Sequence, residues 1–216
     1  MENIAIFGAG GFGREVKTIL DSINENNPKT YNFLGFYDDG YEIGTQINGF
    51  PILGGIKELN EVNTDLALVI SLGNPTIKKD ILKKIINPKI TYPSIIHPRV
   101  SISHDDVNIG RGCIICEGTI LTCNINIGDF VIINLMCSVG HDAVIKDYCA
   151  FMPSVNISGE VFIEESVYVG TGAKIINLVE IGENTIVGAG AVVSKSLPSN
   201  CTAVGIPAKP IKFHNQ

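Results

Sequence analysis

In the second part of the chain, apolar residues recur at every sixth position. The series begins at Ile109 and ends at Val193, and all fifteen of its members are apolar. They are Ile109, Ile115, Leu121, Ile127, Ile133, Val139, Ile145, Phe151, Ile157, Ile163, Val169, Ile175, Ile181, Val187 and Val193. A second register of small or β-branched residues, such as Cys113, Thr119 and Ala143, runs two positions earlier. A six-residue period fits neither an α-helix nor an isolated strand, and it is typical of hexapeptide β-helix repeats.

Three hexads make one triangular coil of the predicted β-helix. Gly110, Gly128 and Gly182 each follow an isoleucine of the register, and multiples of eighteen residues separate them. One edge of the prism is therefore expected to repeat a tight Ile-Gly turn. Each coil must stack on its neighbours to bury its inward face, so the repeat predicts a rigid rod of about five coils.

The first part of the chain follows a different pattern. Buried strands are predicted at Asn3–Phe7, Tyr31–Tyr37 and Leu66–Ser71, and helices at Gly13–Ile23 and Thr76–Ile86. Strands that alternate with helices indicate a small parallel sheet. With three convincing strands, this lobe is too short for a full dinucleotide-binding domain.

Pro93 and Pro98 interrupt regular structure and mark the boundary between the two regimes. The fold class expected is mixed α/β plus all-β. Residues 1–95 form a small Rossmann-like lobe, and residues 96–216 form the β-helix with a C-terminal tail.

Charge and the N-terminal sequence limit the partners. Sixteen Lys and Arg against twenty-two Asp and Glu give a net charge of −6, which provides no electrostatic footprint for nucleic acid. The first residues lack a basic segment, and the apolar stretch 4–9 is too short for a secretory signal or a membrane span. A cytoplasmic protein without a membrane span is expected.

Six cysteines raise the question of a metal site. Cys113 and Cys116 have zinc-like spacing, but no second such pair or paired histidines follow. Because Cys113, Cys137 and Cys149 fall in the register of small inward residues, they are predicted to be core thiols, and no metal is expected.

Several motifs carry a resemblance to a known family. Ile186–Val193 (IVGAGAVV) and the ending Val204–Pro210 (VGIPAKP) resemble the last coil and the terminal motif of the hexapeptide acyltransferases. With Phe7–Glu15 (FGAGGFGRE), Asp38-Asp39 and Gly73-Asn74, nearly the whole chain is similar to bacterial sialic-acid O-acetyltransferases and nucleotide-aminosugar N-acetyltransferases. The resemblance implies a left-handed β-helix, homotrimers, and acetyl-CoA bound between adjacent subunits. It also implies N-acetylation of an amino sugar on a nucleoside diphosphate, for surface glycan or polysaccharide synthesis.

Four histidines are present, and His141 lies inside the repeat. Gly140 before it is expected to permit an unusual corner conformation, where His141 and Asp142 can cooperate. Neutral imidazole, with a pKa of about 6.5, suits removal of a proton from an attacking amine or hydroxyl. By resemblance His141 is the catalytic base and Asp142 its acidic partner. The alternative is a solvated corner histidine.

A backbone N–H is needed for the developing oxyanion. Gly159, eighteen residues after His141, lies one coil further along the rod, and the resemblance indicates the same residue. An ordinary corner glycine is the alternative. The resemblance also places contacts with acetyl-CoA at Ala150, Thr171 and Ala189. Lys209 is available to a CoA phosphate, and a solvated tail residue is the alternative for it. Some related enzymes carry a histidine at the position of Ala150, so histidine-assisted polarisation of the thioester is in doubt here.

Gly8-x-Gly10-x-x-Gly13 follows a strand and opens a helix. Alone it would indicate a dinucleotide, but the same backbone approach to phosphate serves a nucleoside diphosphate. The phosphates or sugar are therefore assigned to Gly10, Gly11 and Phe12. The nucleoside side is assigned to Asp38, Asp39, Gly73 and Asn74. A tight strand-to-helix turn with no ligand is the alternative.

Other functions stay open at this point. A sialic-acid or other sugar hydroxyl could be the acceptor, since no side chain separates amine from hydroxyl acceptors. A non-catalytic nucleotide-binding trimer is a different class, against which the His141-Asp142 corner and the terminal motif argue. A γ-class carbonic anhydrase would need zinc-binding histidines spaced along the repeat, and His141 is the single histidine between Ile109 and Val193.

Overall fold

A computed structural model describes residues 1–214, and the chain divides into two compact units between Pro98 and Arg99. The first unit contains a sheet with helices. Its elements are β1 (Glu2–Phe7), α1 (Gly11–Asn26), β2 (Tyr31–Tyr37), β3 (Gln46–Ile47), β4 (Phe50–Gly54), α2 (Ile56–Asn60), β5 (Leu66–Ile70), α3 (Pro75–Lys84), β6 (Ile90–Thr91) and β7 (Ile95–Ile96).

The sheet of the first unit has the strand order β3-β4-β2-β1-β5-β6. All its pairs are parallel except β3 with β4. The predicted strands β1, β2 and β5 occupy its centre because their residues are apolar on both faces. The expectation of three strands was too low: β3 and β6 are two residues long and show no periodicity, and β4 contains a proline and a glycine.

The second unit is a triangular parallel β-helix. Its strands are β8 (Ser101–Ile102), β9 (Val107–Ile109), β10 (Ile114–Ile115), β11 (Ile120–Leu121), β12 (Ile125–Ile127), β13 (Ile132–Ile133), β14 (Ser138–Val139), β15 (Val144–Ile145), β16 (Ala150–Phe151), β17 (Asn156–Ile157), β18 (Phe162–Ile163), β19 (Tyr168–Val169), β20 (Lys174–Ile175), β21 (Glu180–Ile181), β22 (Ile186–Val187), β23 (Val192–Val193), β24 (Cys201–Val204) and β25 (Lys209–Phe213). Paired strands are one coil apart, as Ser138 with Asn156 shows, and β25 returns antiparallel to β24.

The two predicted registers form the core of the rod. From Ile115 to Val193, every residue of the first register is at most 5% exposed. Cys113, Cys137 and Cys149 of the second register are buried, which confirms them as core thiols. Each of these thiols also donates a hydrogen bond to a backbone carbonyl of the next coil, for example Cys113 to Gly128 at 3.1 Å. Stacking of the coils therefore buries these thiols and also provides the carbonyl oxygens that accept their hydrogen bonds.

A left-handed backbone conformation recurs three residues after the core positions and turns the chain at the corners. The residues concerned are Gly112, Gly118, Asn124, Phe130, Met136, Asp142, Tyr148, Ser154, Glu160, Ser166, Gly172, Leu178, Asn184 and Gly190. Gly140 is not among them, so the expectation that it supplies the unusual corner conformation was wrong. A glycine is needed at this position for another reason: a Cβ added to Gly140 would lie 2.6 Å from the backbone nitrogen of Gly159. Gly140 is thus required by close stacking of coils.

None of the helices in residues 1–214 combines the length and the apolar character needed to cross a lipid bilayer.

Candidate active site

His141 and Asp142 lie at the corner that follows strand β14. The imidazole Nδ1 of His141 is 2.7 Å from Oδ2 of Asp142. Asp142 has a φ of 58°, and this turn allows two sequential side chains to meet. About half of each side chain is exposed, at 57% and 49%, so the pair is open to a substrate.

The Asp142 carboxylate has a second partner that the sequence argument missed. Asn124 occupies the same corner position one coil earlier, and its Nδ2 donates to Asp142 Oδ1 at 3.0 Å. The hydrogen bond from His141, followed by the one from Asn124, lowers the pKa of Asp142 below its ordinary value. The eighteen-residue spacing from Asn124 to Asp142 was the signal that could have found it.

Gly159 lies directly beside the imidazole of His141. A Cβ added to Gly159 would be 2.5 Å from both Cε1 and Nε2 of the ring, so only glycine leaves room for it there. Gly159 is buried, and within residues 1–214 no group accepts a hydrogen bond from its N–H. The structure thus brings His141, Asp142 and Gly159 together in one small volume.

This arrangement suits proton removal beside a developing negative charge. When Nδ1 donates to Asp142, the lone pair of the imidazole is on Nε2. Nε2 is one of the two ring atoms nearest to the Cβ position of Gly159, and the Gly159 N–H has no acceptor within residues 1–214. Acyl transfer requires a base and a donor to the developing oxyanion, and His141 and the Gly159 N–H are the candidates for these two groups. In residues 1–214 no group of three or more His, Cys, Asp or Glu side chains could hold a metal ion.

The predicted acetyl-CoA contacts lie elsewhere on the rod. Thr171 and Ala189 are exposed neighbours on one edge, where the Thr171 carbonyl accepts a hydrogen bond from Gly190 at 2.8 Å. That edge connects β19 to β20, whereas the His141 corner connects β14 to β15. The sheet that contains β14, β17 and β20 separates the two edges. One protomer therefore does not bring these two groups of residues together.

The other two predicted contacts differ in exposure. Ala150 is fully buried in β16 and offers no side-chain surface in this protomer. Lys209 is exposed at the start of β25. Neither residue lies at the His141 corner, and both contacts stay predictions.

In the first unit, the glycine turn lies at the carboxyl end of the central strand β1. Gly8 has a φ of 104°, which favours glycine, and a Cβ on Gly13 would overlap the Gly8 carbonyl oxygen. Asp38 follows β2 and accepts a hydrogen bond from the Ala9 N–H at 2.8 Å. The hydroxyl of Ser71, which the sequence argument missed, donates to the Phe7 and Gly8 carbonyls. Turn, aspartate and serine thus form one hydrogen-bonded unit where parallel strands end.

The remaining predicted nucleotide contacts lie around this turn. Asp39 accepts from the Ile56 N–H at 2.9 Å, and Asn74 caps α3 by accepting from the Ile77 N–H at 3.1 Å. Gly73 is half-buried just before that cap. These hydrogen bonds support the fold, so the binding role of these side chains stays a prediction.

Gly10, Gly11 and Phe12 lie at the N-terminus of α1. A Cβ added to Gly10 would meet nothing within 4 Å, and one added to Gly11 would meet only the end of Arg14, at 3.9 Å. Phe12 is half-buried in the first turn of the helix. The space in front of this turn is therefore open to a ligand.

Known proteins resemble this chain in its first part and over its whole length. Residues 3–85 match the PglD N-terminal domain family. The chain is 34% identical to a GDP-perosamine N-acetyltransferase from Escherichia coli O157:H7, across 98% of this chain and 97% of the relative.

Two solved structures are similar over the full length. PerB from Caulobacter crescentus, in complex with CoA and GDP-perosamine, has a TM-score of 0.89 and 28% identity, with 98% of each chain covered. The acetyltransferase domain of PglB from Neisseria gonorrhoeae, in complex with acetyl coenzyme A, has a TM-score of 0.88 and 29% identity, with 97% of this chain and 99% of that domain covered. These likenesses confirm the expected fold, a small α/β lobe followed by a left-handed β-helix.

Proposed function

Because this chain belongs to the hexapeptide-repeat acyltransferases, the family of the nucleotide-aminosugar N-acetyltransferases, we propose that it transfers the acetyl group of acetyl-CoA to an amino group of a nucleotide-linked sugar. The observation that carries the proposal is the His141-Asp142 pair beside Gly159, whose N–H has no acceptor within residues 1–214. Two solved structures that resemble the whole of this chain contain CoA with GDP-perosamine and acetyl-CoA, respectively, which supports the same two substrates here.

The proposed reaction needs no covalent enzyme intermediate. The sugar amine attacks the thioester carbonyl carbon while Nε2 of His141 accepts the proton that the amine loses. The carbonyl oxygen becomes an oxyanion, to which the Gly159 N–H donates. The tetrahedral intermediate then collapses, the C–S bond breaks, and the CoA sulfur leaves with the proton held by the imidazolium. The Asp142 carboxylate stabilises the imidazolium between these two steps.

The glycine turn of the first unit is the proposed site for the nucleotide half of the acceptor. Backbone N–H groups at the start of α1 attract phosphate, which supports the assignment of Gly10, Gly11 and Phe12 to the diphosphate or sugar. Asp38, Asp39, Gly73 and Asn74 are assigned to the nucleoside side by their place at the ends of β2 and β5.

The active assembly that we propose is a homotrimer with acetyl-CoA between subunits. Its support is geometric: Thr171 and Ala189 are on a different edge from His141, so an edge of a neighbouring protomer would complete the site. Lys209 would contact a CoA phosphate, and Ala150 would contribute only through its backbone or shape. Such an enzyme would work in the cytoplasm, where acetyl-CoA is made.

The test follows thiol release from acetyl-CoA with a panel of nucleoside-diphosphate sugars that carry either an amine or a hydroxyl at the same carbon. We expect turnover with the amine and a loss of about 10² to 10⁴ in kcat for His141→Ala, with CoA affinity little changed. His104→Ala, at an exposed position outside the corner, is the matched control and should retain activity.

Three results would contradict this proposal. Near wild-type turnover of His141→Ala would show that His141 is not the general base. Preference for the hydroxyl sugars would replace N-acetylation by O-acetylation. A fully active monomer in light scattering would remove the site between subunits.

A further inference from the structure

Asn124 and Asp142 form a stacked pair on one edge of the rod. Both have left-handed backbone conformations, with φ of 54° and 58°, and they occupy the same corner position in successive coils. Backbone hydrogen bonds fix this stacking, from Asn124 N–H to Asp105 O at 2.9 Å and from Asp142 N–H to Cys123 O at 3.1 Å. The fold therefore sets the distance between the two side chains.

The hydrogen bonds to the Asp142 carboxylate are divided between its two oxygens. Oδ1 accepts from Asn124 Nδ2 at 3.0 Å, and Oδ2 faces His141 Nδ1 at 2.7 Å. A half-exposed carboxylate with a single partner can rotate and exchange that partner for water. With a donor on each oxygen, the plane of the carboxylate is fixed and Oδ2 stays directed at the imidazole.

Two physical properties of asparagine suit position 124. Asparagine tolerates a left-handed backbone better than most residues, and its amide is a donor that carries no charge. A lysine or arginine there would compete with His141 for the same carboxylate as a full ion pair. Aspartate would place a second negative charge against Asp142. The neutral amide of Asn124 holds Asp142 in place, and the negative charge of Asp142 stays available to stabilise the imidazole of His141.

We infer that Asn124 is a positioning residue for the acetyl transfer proposed above: it holds Asp142 so that Asp142 fixes the tautomer of His141. This inference rests on the proposed function. Asn124 touches neither substrate in this scheme and acts only through Asp142. Its removal should therefore change kcat and leave the KM values of both substrates unaltered.

The test compares two glycine substitutions at equivalent corners. Asn124→Gly deletes the amide and keeps the left-handed backbone, because glycine adopts positive φ without strain. Asn184→Gly is the matched control: Asn184 also has a φ of 54° and donates to Asn200 at 3.1 Å, on an edge without His141. We expect Asn124→Gly to lower kcat about 3- to 10-fold, the effect of losing one ordinary hydrogen bond. Asn184→Gly should match the wild type in kcat.

A double-mutant cycle separates positioning from a general loosening of the coil. In an Asp142→Asn background, Asn124→Gly should cause no further loss, since the residue through which it acts has already been changed. Asn124→Asp should lower kcat more than Asn124→Gly. Additive losses in the double variant, an equal loss in Asn184→Gly, or wild-type kcat in Asn124→Gly would each overturn the inference. If the inference alone fails, His141→Ala still loses about 10² to 10⁴ in kcat, whereas failure of the proposed function leaves His141→Ala near wild-type turnover.

Discussion

Nδ1 of His141 lies 2.7 Å from Oδ2 of Asp142, the next residue in the chain. On a straight strand two sequential side chains point to opposite faces. The left-handed conformation of Asp142 turns the backbone at the corner and brings the two side chains together. The pair is thus a product of the corner, and substitutions that preserve the corner should change the chemistry and leave the rod intact.

The first prediction concerns the ionisation of Asp142. Its carboxyl should titrate below its ordinary value near 3.8, because His141 and Asn124 both donate to the carboxylate. Carbon-detected NMR of the aspartate side chains would measure this pKa. In His141→Ala and in Asn124→Gly the pKa should rise towards the ordinary value, and an unchanged pKa in both would contradict the hydrogen bonds described here.

The same lowered pKa has a consequence for stability. A group whose folded-state pKa is lowered stabilises the fold above its unfolded-state pKa, and this contribution is lost as the pH falls through the folded-state value. Asp142→Asn should therefore be less stable than the wild type at neutral pH, and the difference should shrink below about pH 4. Urea unfolding at several pH values would measure it, with Asp105→Asn, at another exposed carboxyl, as the control variant.

Gly159→Ala should reduce activity without unfolding the rod. The new Cβ would lie 2.5 Å from two atoms of the His141 ring, and this half-exposed ring can rotate away. Displacing the base should lower kcat about 10- to 100-fold while the melting temperature changes little.

Gly140→Ala provides the contrast to Gly159→Ala. Its Cβ would meet the backbone of the next coil at 2.6 Å, so it should lower the melting temperature clearly. Equal losses of stability in the two variants would show that the space beside His141 is merely structural.

In the first unit, Gly11→Val should separate ligand binding from folding. The Gly11 position is open, so valine there should fold normally but obstruct the approach of the phosphates. We expect KM for the nucleotide sugar to rise at least about tenfold, with KM for acetyl-CoA unchanged.

Gly13→Ala is the structural counterpart of Gly11→Val. Its Cβ would overlap the Gly8 carbonyl oxygen, and it should therefore destabilise the protein.

Unchanged binding of the free nucleoside diphosphate to Gly11→Val, measured by calorimetry, would contradict the assignment of the glycine turn to nucleotide binding.

The six thiols should differ strongly in reactivity. Burial raises the pKa of Cys137 to about 11, whereas Cys123 is only half-buried. Iodoacetamide at pH 8 should modify Cys123 first, since the thiolate is the reactive form. Mass spectrometry of the native protein would show this, and Cys123→Ser should abolish the rapid phase. Rapid modification of Cys137 would contradict the packing of the core register.

The rod could be predicted from the sequence alone because its inward-facing apolar residues recur with a fixed period. A residue at every sixth position, from Ile115 to Val193, must pack inward when coils repeat, so counting positions was sufficient to find the core. The same counting placed Gly159 one coil beyond His141. It would also have placed Asn124 one coil before Asp142, had the polar positions been compared as the apolar ones were.

Several features depended on the tertiary structure. The corner conformation belongs to Asp142, and Gly140 is glycine because the backbone of the next coil approaches it. The short strands β3 and β6 have no periodic pattern and form only because longer neighbours supply hydrogen-bonding partners. The sequence by itself determined which residues face inward, since periodicity is a local property of the chain. Which polar side chains meet depends on distances between coils, and only the folded rod sets those distances.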